Sequence, residues 1–257
     1  MGLVTAYPEP LVPPGGIAPV PRRLRGLLGG TWVFDTQRAL YVWEWPPYPQ
    51  YYLPLADIAD GVLVDEGRST RTDRGTAALW GLRVGNLTRP AAVQVLGGDA
   101  PEPLRQTARI DWAALDTWFE EDEPVFVHPR NPYARVDAVR STRSVRVELA
   151  GVVLAEAAGS IIVFETGLPP RYYLDRSALH LPHLEPSDTV TSCPYKGTTS
   201  QYWSVRVGDG LHPDLAWSYE FPTRELLPIA GLVAFFNEMV DLFLDGRPLE
   251  RPLTPFS

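Results

Sequence analysis

The chain has 257 residues, 45% of them hydrophobic and 21% charged, which fits a soluble globular protein of one large domain or two modest ones and excludes disorder or fibre. No apolar run approaches the roughly 18 residues a membrane helix needs, and the single cysteine excludes an internal disulfide and any zinc site built on cysteine pairs. A net charge of −8 argues against a nucleic-acid partner, because phosphate contacts call for a basic face.

Met1 to Pro21 carries six prolines and the pair Gly15-Gly16, without the basic start and apolar core of a leader sequence. It reads as an extended arm over residues 1–23. With no leader and one unpaired cysteine, a cytoplasmic location is the expectation, reached by elimination. The 27 prolines of the chain predict many short strands and turns rather than long helices. Asp111 to Glu121 is the first helix candidate, with Asp111 as its cap. Val145 to Leu149 alternates apolar and polar residues as a half-buried strand does, and Gly151 turns the chain after it. Ser160 to Phe164 is a short β-branched and aromatic run, expected to be a strand buried on both faces. Tyr202 to Val207 alternates again before Gly208-Asp209-Gly210. A second short helix is expected around Pro228 to Phe236, and Val240 to Leu244 closes the series as a strand.

These elements belong to an internal repeat. Glu44-Trp45-Pro46-Pro47-Tyr48-Pro49-Gln50-Tyr51-Tyr52-Leu53 aligns with Glu165-Thr166-Gly167-Leu168-Pro169-Pro170-Arg171-Tyr172-Tyr173-Leu174 at an offset of 121. The offset holds backwards to Arg25 against Arg146. Trp80 to Gly85 then matches Trp203 to Gly208 at 123, and Trp118 to Glu121 is aligned with Phe235 to Glu238. Two copies of one unit follow, the first over residues 24–139 and the second over 140–257. Tyr51 and Tyr172, and likewise Trp80 and Trp203, are expected in equivalent places.

Lysine is the rarest cation. Of 23 basic residues only Lys196 is a lysine, leaving 22 arginines. Codon bias toward arginine accounts for the totals. A lysine that survives such a bias marks a place where a compact ammonium is not replaced by a planar fork. Lys196 stands in Cys193-Pro194-Tyr195-Lys196-Gly197, beside the only cysteine.

The second unit resembles a bacterial family known as domain of unknown function 427, also filed under a nucleotidyltransferase label. The resemblance rests on Val163 to Tyr173, Glu185-Pro186-Ser187-Asp188-Thr189, Cys193 to Gly197, Tyr202-Trp203-Ser204, Trp217-Ser218-Tyr219 and Val233 to Phe236. It implies a mainly β chain of two tandem β-tent-like domains, each of two antiparallel sheets pinned at one end and splayed at the other. It implies no settled activity. The nucleotidyltransferase label finds neither a glycine-rich phosphate loop nor paired carboxylates for magnesium in these residues. Remote relatives of that fold bind zinc through two cysteine pairs, which this chain lacks.

The candidate ligand-binding residues are Glu165, Arg171, Tyr172 and Lys196, with the aromatic Trp203, Trp217 and Tyr219. Cys193 completes the set as a thiol beside an ammonium. Each has a plainer reading. Glu165 serves as an acceptor for the turn after it, a role its counterpart Glu44 favours. Tryptophans in a β sandwich are more often core than pocket wall. Free cysteine is commonly buried, and a Pro-x-x-Gly turn accounts for its neighbours. Tyr172 and Tyr173 point to opposite faces of any strand that holds them, so one is core and the other faces a cavity. Covalent catalysis by Cys193 ranks below binding by Lys196, since no histidine is adjacent in sequence.

The sequence therefore describes a small-molecule-binding or enzymatic protein whose working pocket is in the second unit. Its ligand is expected to be anionic or planar, with no cofactor, no membrane and no nucleic acid. The alternative is an interaction module without chemistry, gripping a peptide or a modified side chain in an aromatic cleft. The first unit has Gln50 where the second has Arg171, and basic residues with a glycine around Ser69 to Gly75 in place of Cys193 to Gly197, so function is expected to be asymmetric. Elemental analysis of the purified protein is expected to find no stoichiometric zinc, because neither unit supplies four ligands at usual spacings; metal surviving a chelator would contradict that ligand count.

Overall fold

The computed structural model describes residues 15–254 and divides between Asn131 and Pro132 into two compact units. The first contains β1 (Ile17–Pro19), β2 (Leu24–Leu28), β3 (Thr31–Thr36), β4 (Leu40–Val42), β5 (Gln50–Pro54) and β6 (Leu63–Thr72). It continues with β7 (Gly75–Val84), β8 (Leu87–Leu96), β9 (Thr107–Ile110), β10 (Thr117–Glu120) and β11 (Glu123–Val125). The second contains β12 (Val136–Ser141), β13 (Val145–Leu149), β14 (Val152–Ala157), β15 (Ser160–Glu165), β16 (Arg171–Tyr173) and β17 (Leu184–Ser187). A two-stranded insert, β18 (Ser192–Cys193) and β19 (Gly197–Thr198), precedes β20 (Gln201–Val207), β21 (Gly210–Ser218), β22 (Val233–Phe235), β23 (Asp241–Leu244) and β24 (Arg247–Pro248). The chain is mainly β, and the helical segments among the described residues are short 3-10 turns between strands, in keeping with its proline content. Among the described residues no helix is long and apolar enough to cross a membrane.

The two units share one plan. In the first, a seven-stranded antiparallel sheet runs β1-β4-β5-β9-β8-β7-β6 and a four-stranded sheet runs β11-β10-β2-β3. In the second, β12-β15-β16 and β17-β20-β21-β22 meet through the bridge of Leu174 to Val233, giving the same seven-strand order, while β24-β23-β13-β14 repeats the four-stranded sheet. Registers repeat as well. Tyr41 faces Tyr51 and Ile162 faces Tyr172; Trp80 faces Val93 and Trp203 faces Ala216. Even a bulge recurs, after Gly26 in β2 and after Val147 in β13.

Several expectations are corrected. The Asp111 to Glu121 helix is a 3-10 turn at Trp112–Ala114 followed by strand β10, and the Pro228 to Phe236 helix is a 3-10 segment, Arg224–Ile229, followed by strand β22. The first segment alternates buried and half-exposed residues along β10, while β22 is buried at all three positions between its sheet neighbours, so both pair into sheets instead of closing helical turns. Trp118 does not answer Phe235: β10 pairs with β2 as β23 pairs with β13, so Trp118 corresponds to Leu242, and Phe235 to Ile110. Of the expected arm, residues 1–14 lie outside the described residues. Ile17–Pro19 is a sheet strand, and Pro19 is tolerated because β1 is an edge. The first unit thus begins before residue 24 and the second before 140, since β12 pairs with β15. Strand β15 is not buried on both faces, for Phe164 is exposed.

Each unit buries a core between its two sheets. Val33, Trp43, Leu82 and Val93 lie in the first, and Val147, Leu154, Trp203 and Phe235 in the second. The repeat tolerates sequence change by exchanging volume across a pair: Gly26 faces Phe34 in the first unit where Val147 faces Ala155 in the second. A Cβ at Gly26 would run into the Phe34 ring and Leu115. Gly26→Val is therefore expected to destabilise the protein by about 1–3 kcal/mol through overpacking. Adding Phe34→Ala should recover part of the loss, and denaturant unfolding of the three proteins checks this. Equal midpoints for the single and double variants would contradict the volume exchange.

Candidate functional site

Strand alternation sorts the residues of the second unit. On β16, Arg171 and Tyr173 share one face and Tyr172 takes the other. On β20 and β21, the pair Tyr202 and Trp217 faces the same way as Tyr173, while Trp203 and Ala216 face the other way. Tyr172 and Trp203 accordingly lie in the core between the sheets, and Trp203 is 8% exposed. They do not converge with Lys196, against the expected grouping of Trp203, Trp217 and Lys196. The other face gathers Tyr173, Tyr202, Trp217 and Tyr219 in an aromatic cluster of its own. Trp217 packs on Phe236 at 4.4 Å, and its indole N–H donates to the Tyr173 hydroxyl at 3.3 Å.

The polar centre forms where the large hairpin is interrupted. In the first unit β6 and β7 stay paired, through one bulge between Asp65 and Arg68, to a tight turn at Asp73-Arg74. In the second, residues 188–200 leave the sheet, and the β18–β19 insert turns back. Gly197 takes a left-handed φ of 95°, as Gly75 does at 119°. Thr223 ties the insert down, its N–H donating to the Lys196 carbonyl and its hydroxyl to the Tyr195 carbonyl. This brings the Lys196 ammonium onto the Glu165 carboxylate at the end of β15, with Cys193 Sγ at 3.9 Å from Nζ.

Lys196 is only 9% exposed. Burial alone would lower its pKa, but the charge of Glu165, supported by Cys193 and Tyr173, outweighs it and holds the ammonium above its ordinary value. Lys196 is thus a fixed cation and not a nucleophile at neutral pH. Burial pushes the Tyr173 hydroxyl up to about 12 despite the nearby ammonium, and burial also raises Tyr219, which feels Tyr173, Cys193 and Glu165. Both phenols stay protonated donors. Of the three Lys196 N–H groups, one goes to Glu165 and one points to the thiol. The third, and the Tyr219 O–H, have no hydrogen-bond acceptor among the described residues.

Arg171 is committed elsewhere. Its guanidinium makes a bidentate, buried pair with Glu238 at 2.6 and 2.7 Å and lies over Trp217 and Phe236, while Thr254 donates to the same carboxylate at 2.6 Å. Burial works against the Glu238 charge, but the bonds from Arg171 and Thr254 prevail and hold its pKa below the ordinary carboxylate range. Tyr173 and Glu238 are the residues that sequence reasoning missed. The first was available from the pleat, because a site containing Arg171 on a strand takes Tyr173 and not Tyr172. The second had no local signal, lying 67 residues from its partner.

The first unit handles the same carboxylate differently. Glu44 accepts from the Tyr52 hydroxyl at 2.6 Å and lies 3.6 Å from Arg109 on β9, where the second unit has Ala234. Arg74 donates instead to the Trp43 carbonyl at 3.1 Å. Among the described residues no three His, Cys, Asp or Glu side chains gather as metal ligands.

The family described as Domain of unknown function (DUF427) matches residues 16–110 and, a second time, residues 137–246. The chain belongs to this family as a tandem repeat. The two matches fall one in each unit and cover the shared seven-stranded plan. No curated protein matches the chain.

Lys196 is buried and paired rather than solvated, so its loss carries a cost in stability. Lys196→Ala strands the Glu165 charge and is expected to cost about 3–5 kcal/mol. The double variant Glu165→Gln/Lys196→Met removes both charges and should stay within about 1–2 kcal/mol of the parent. For Glu238 the sign follows from a depressed pKa: its pairing stabilises the fold above the ordinary carboxylate value of about 4.3 and is lost as pH falls through the lowered folded value. Glu238→Gln should therefore flatten the acid limb of a melting-temperature profile. A profile of unchanged slope would show that the pair does not report on acid unfolding.

Proposed function

We propose that the second unit binds a small anionic molecule at the centre formed by Lys196, Glu165 and Cys193, with Tyr173 and Tyr219 as neutral donors. The reading rests on one observation: a buried, charged ammonium keeps an N–H without an acceptor, and the Tyr219 O–H, which feels the same Glu165 and Cys193, has none either. Unmet donors in a water-poor site favour a ligand bearing carboxylate or phosphate oxygens, since each bond to a charged group contributes more there than in water. Glu165 sets the ammonium in place and keeps it protonated. It also limits affinity, because an incoming anion shares the cation with it.

An interaction module with an open aromatic cleft is less well supported. Tyr173, Tyr202, Trp217 and Tyr219 are all buried, and a cage for a cation would have no ammonium inside it. The thiol enters as a polarisable wall of the site; no base is hydrogen-bonded to it.

A thermal-shift screen with small carboxylates and phosphates tests the proposal. A ligand at 100 times its dissociation constant stabilises by about 2.7 kcal/mol, a readily measured shift. The shift is expected to vanish in Glu165→Gln/Lys196→Met and to persist in Arg74→Ala. An anion that stabilises the double variant as well as the parent, or is lost with Arg74, would overturn the assignment.

A further inference from the structure

The duplicated tryptophans Trp80 and Trp203 differ in what covers them. In the second unit Arg176, just after β16, lays its guanidinium over the Trp203 ring at 5.6 Å. It is anchored there by the Gly231 carbonyl at 3.1 Å, the Ser218 hydroxyl at 3.3 Å and the Glu220 carboxylate at 2.8 Å. The registers give the first-unit equivalents: Leu55 for Arg176, Gln106 for Gly231, Val95 for Ser218 and Gly97 for Glu220. The backbone agrees, since Gln106 and Gly231 are both left-handed, with φ of 58° and 71°. Leu55 is too short to cover Trp80, and a cavity of about 480 Å³ lies over it, lined by Leu55, Ala78, Trp80, Val95, Ser69 and Gln106 among others.

The character of this space follows from the exchanged residues. Val95 and Gly97 remove the hydroxyl and carboxylate that hold a cation in the second unit. Asp99, also on the cavity wall, is satisfied by Arg71 and by the Thr76 N–H and hydroxyl. What is left is an indole face with aliphatic walls, plus the Ser69 hydroxyl and Gln106 amide, whose side chains have no hydrogen bond among the described residues. A second cavity of about 460 Å³ shares Leu55 and Gln106 with the first and is lined by Arg105. Arg105 gives its Nε to the Ala100 carbonyl at 3.0 Å and has no carboxylate partner among the described residues. Among the described arginines without an acid partner, Arg105 is one that lines a cavity next to the Trp80 space, and its guanidinium is free to meet an anion there.

We propose that the first unit binds a planar ring carrying an anionic group, the ring stacked over Trp80 where Arg176 sits in the second unit, and the anion at Arg105. This site is separate from the Lys196 centre, and its neighbours supply stacking and one charge-assisted contact rather than chemistry. Gln106, held in a left-handed conformation by backbone bonds from Leu55 and to Leu96, stands between the two halves of the groove.

Calorimetric titration with 1-naphthyl phosphate tests it, carried out on the parent and on Glu165→Gln/Lys196→Met so that first-unit binding is counted alone. Binding is expected to persist in that double-variant background. There, Leu55→Arg, which places the Arg176 side chain in the first unit, should abolish it. Arg105→Ala, at an exposed position that leaves the core untouched, should weaken it about tenfold, and 1-naphthol should bind no better to the parent than to Arg105→Ala. Titration curves unaltered by both Leu55→Arg and Arg105→Ala, or no binding in the double-variant background, would overturn the proposal and leave the Lys196 assignment standing on its own test.

Discussion

The pleat of the large sheet decides what each residue of this protein can do. Successive side chains leave a strand on opposite faces, and in each unit one face of the seven-stranded sheet is pressed against the four-stranded sheet. Tyr172 and Trp203 fall on that inner face, so their size serves packing. Tyr173, Tyr202, Trp217 and Arg171 fall on the outer face, where the sheet is covered by the insert, the loop before β22 and the chain after β23. Core and site are separated by one residue of register.

On that outer face a carboxylate recurs at the end of a strand, and the two units meet its charge in different ways. Glu44 has a phenol and a partly exposed arginine from β9. Glu165 has neither, because Ala234 stands at the arginine's place and Tyr173 is turned to Trp217. The interrupted hairpin supplies Lys196 instead. A buried carboxylate left unpaired is costly, and the insert supplies the charge that offsets it. The rarity of lysine in the chain fits a position where a compact, flexible ammonium reaches inward and a guanidinium does not.

The two units differ in complementary ways. The second unit fills the space over its tryptophan with Arg176 and opens a polar centre around Lys196. The first closes its carboxylate site with Tyr52 and Arg109 and leaves Trp80 uncovered. Cross-strand volume exchange, as between Gly26–Phe34 and Val147–Ala155, shows how the shared framework absorbed the change without loss of register.

By itself the sequence determined the tandem repeat, the β class, most strands of the second unit and the joining of Glu165, Cys193 and Lys196 to one candidate site. These are readable because period-2 patterning, proline content and an ungapped offset are local or self-referential signals. The face assignment of the tyrosine pair is legible there as well, since on one strand Tyr173 and not Tyr172 shares a face with Arg171. Only the tertiary structure decided that Arg171 is spent on Glu238, that Trp203 is core, that Lys196 is buried and paired, and that Leu55 leaves open what Arg176 closes. Each of these depends on residues far apart in the chain meeting across a sheet or a loop, and no local pattern encodes which distant charge or ring a side chain will meet.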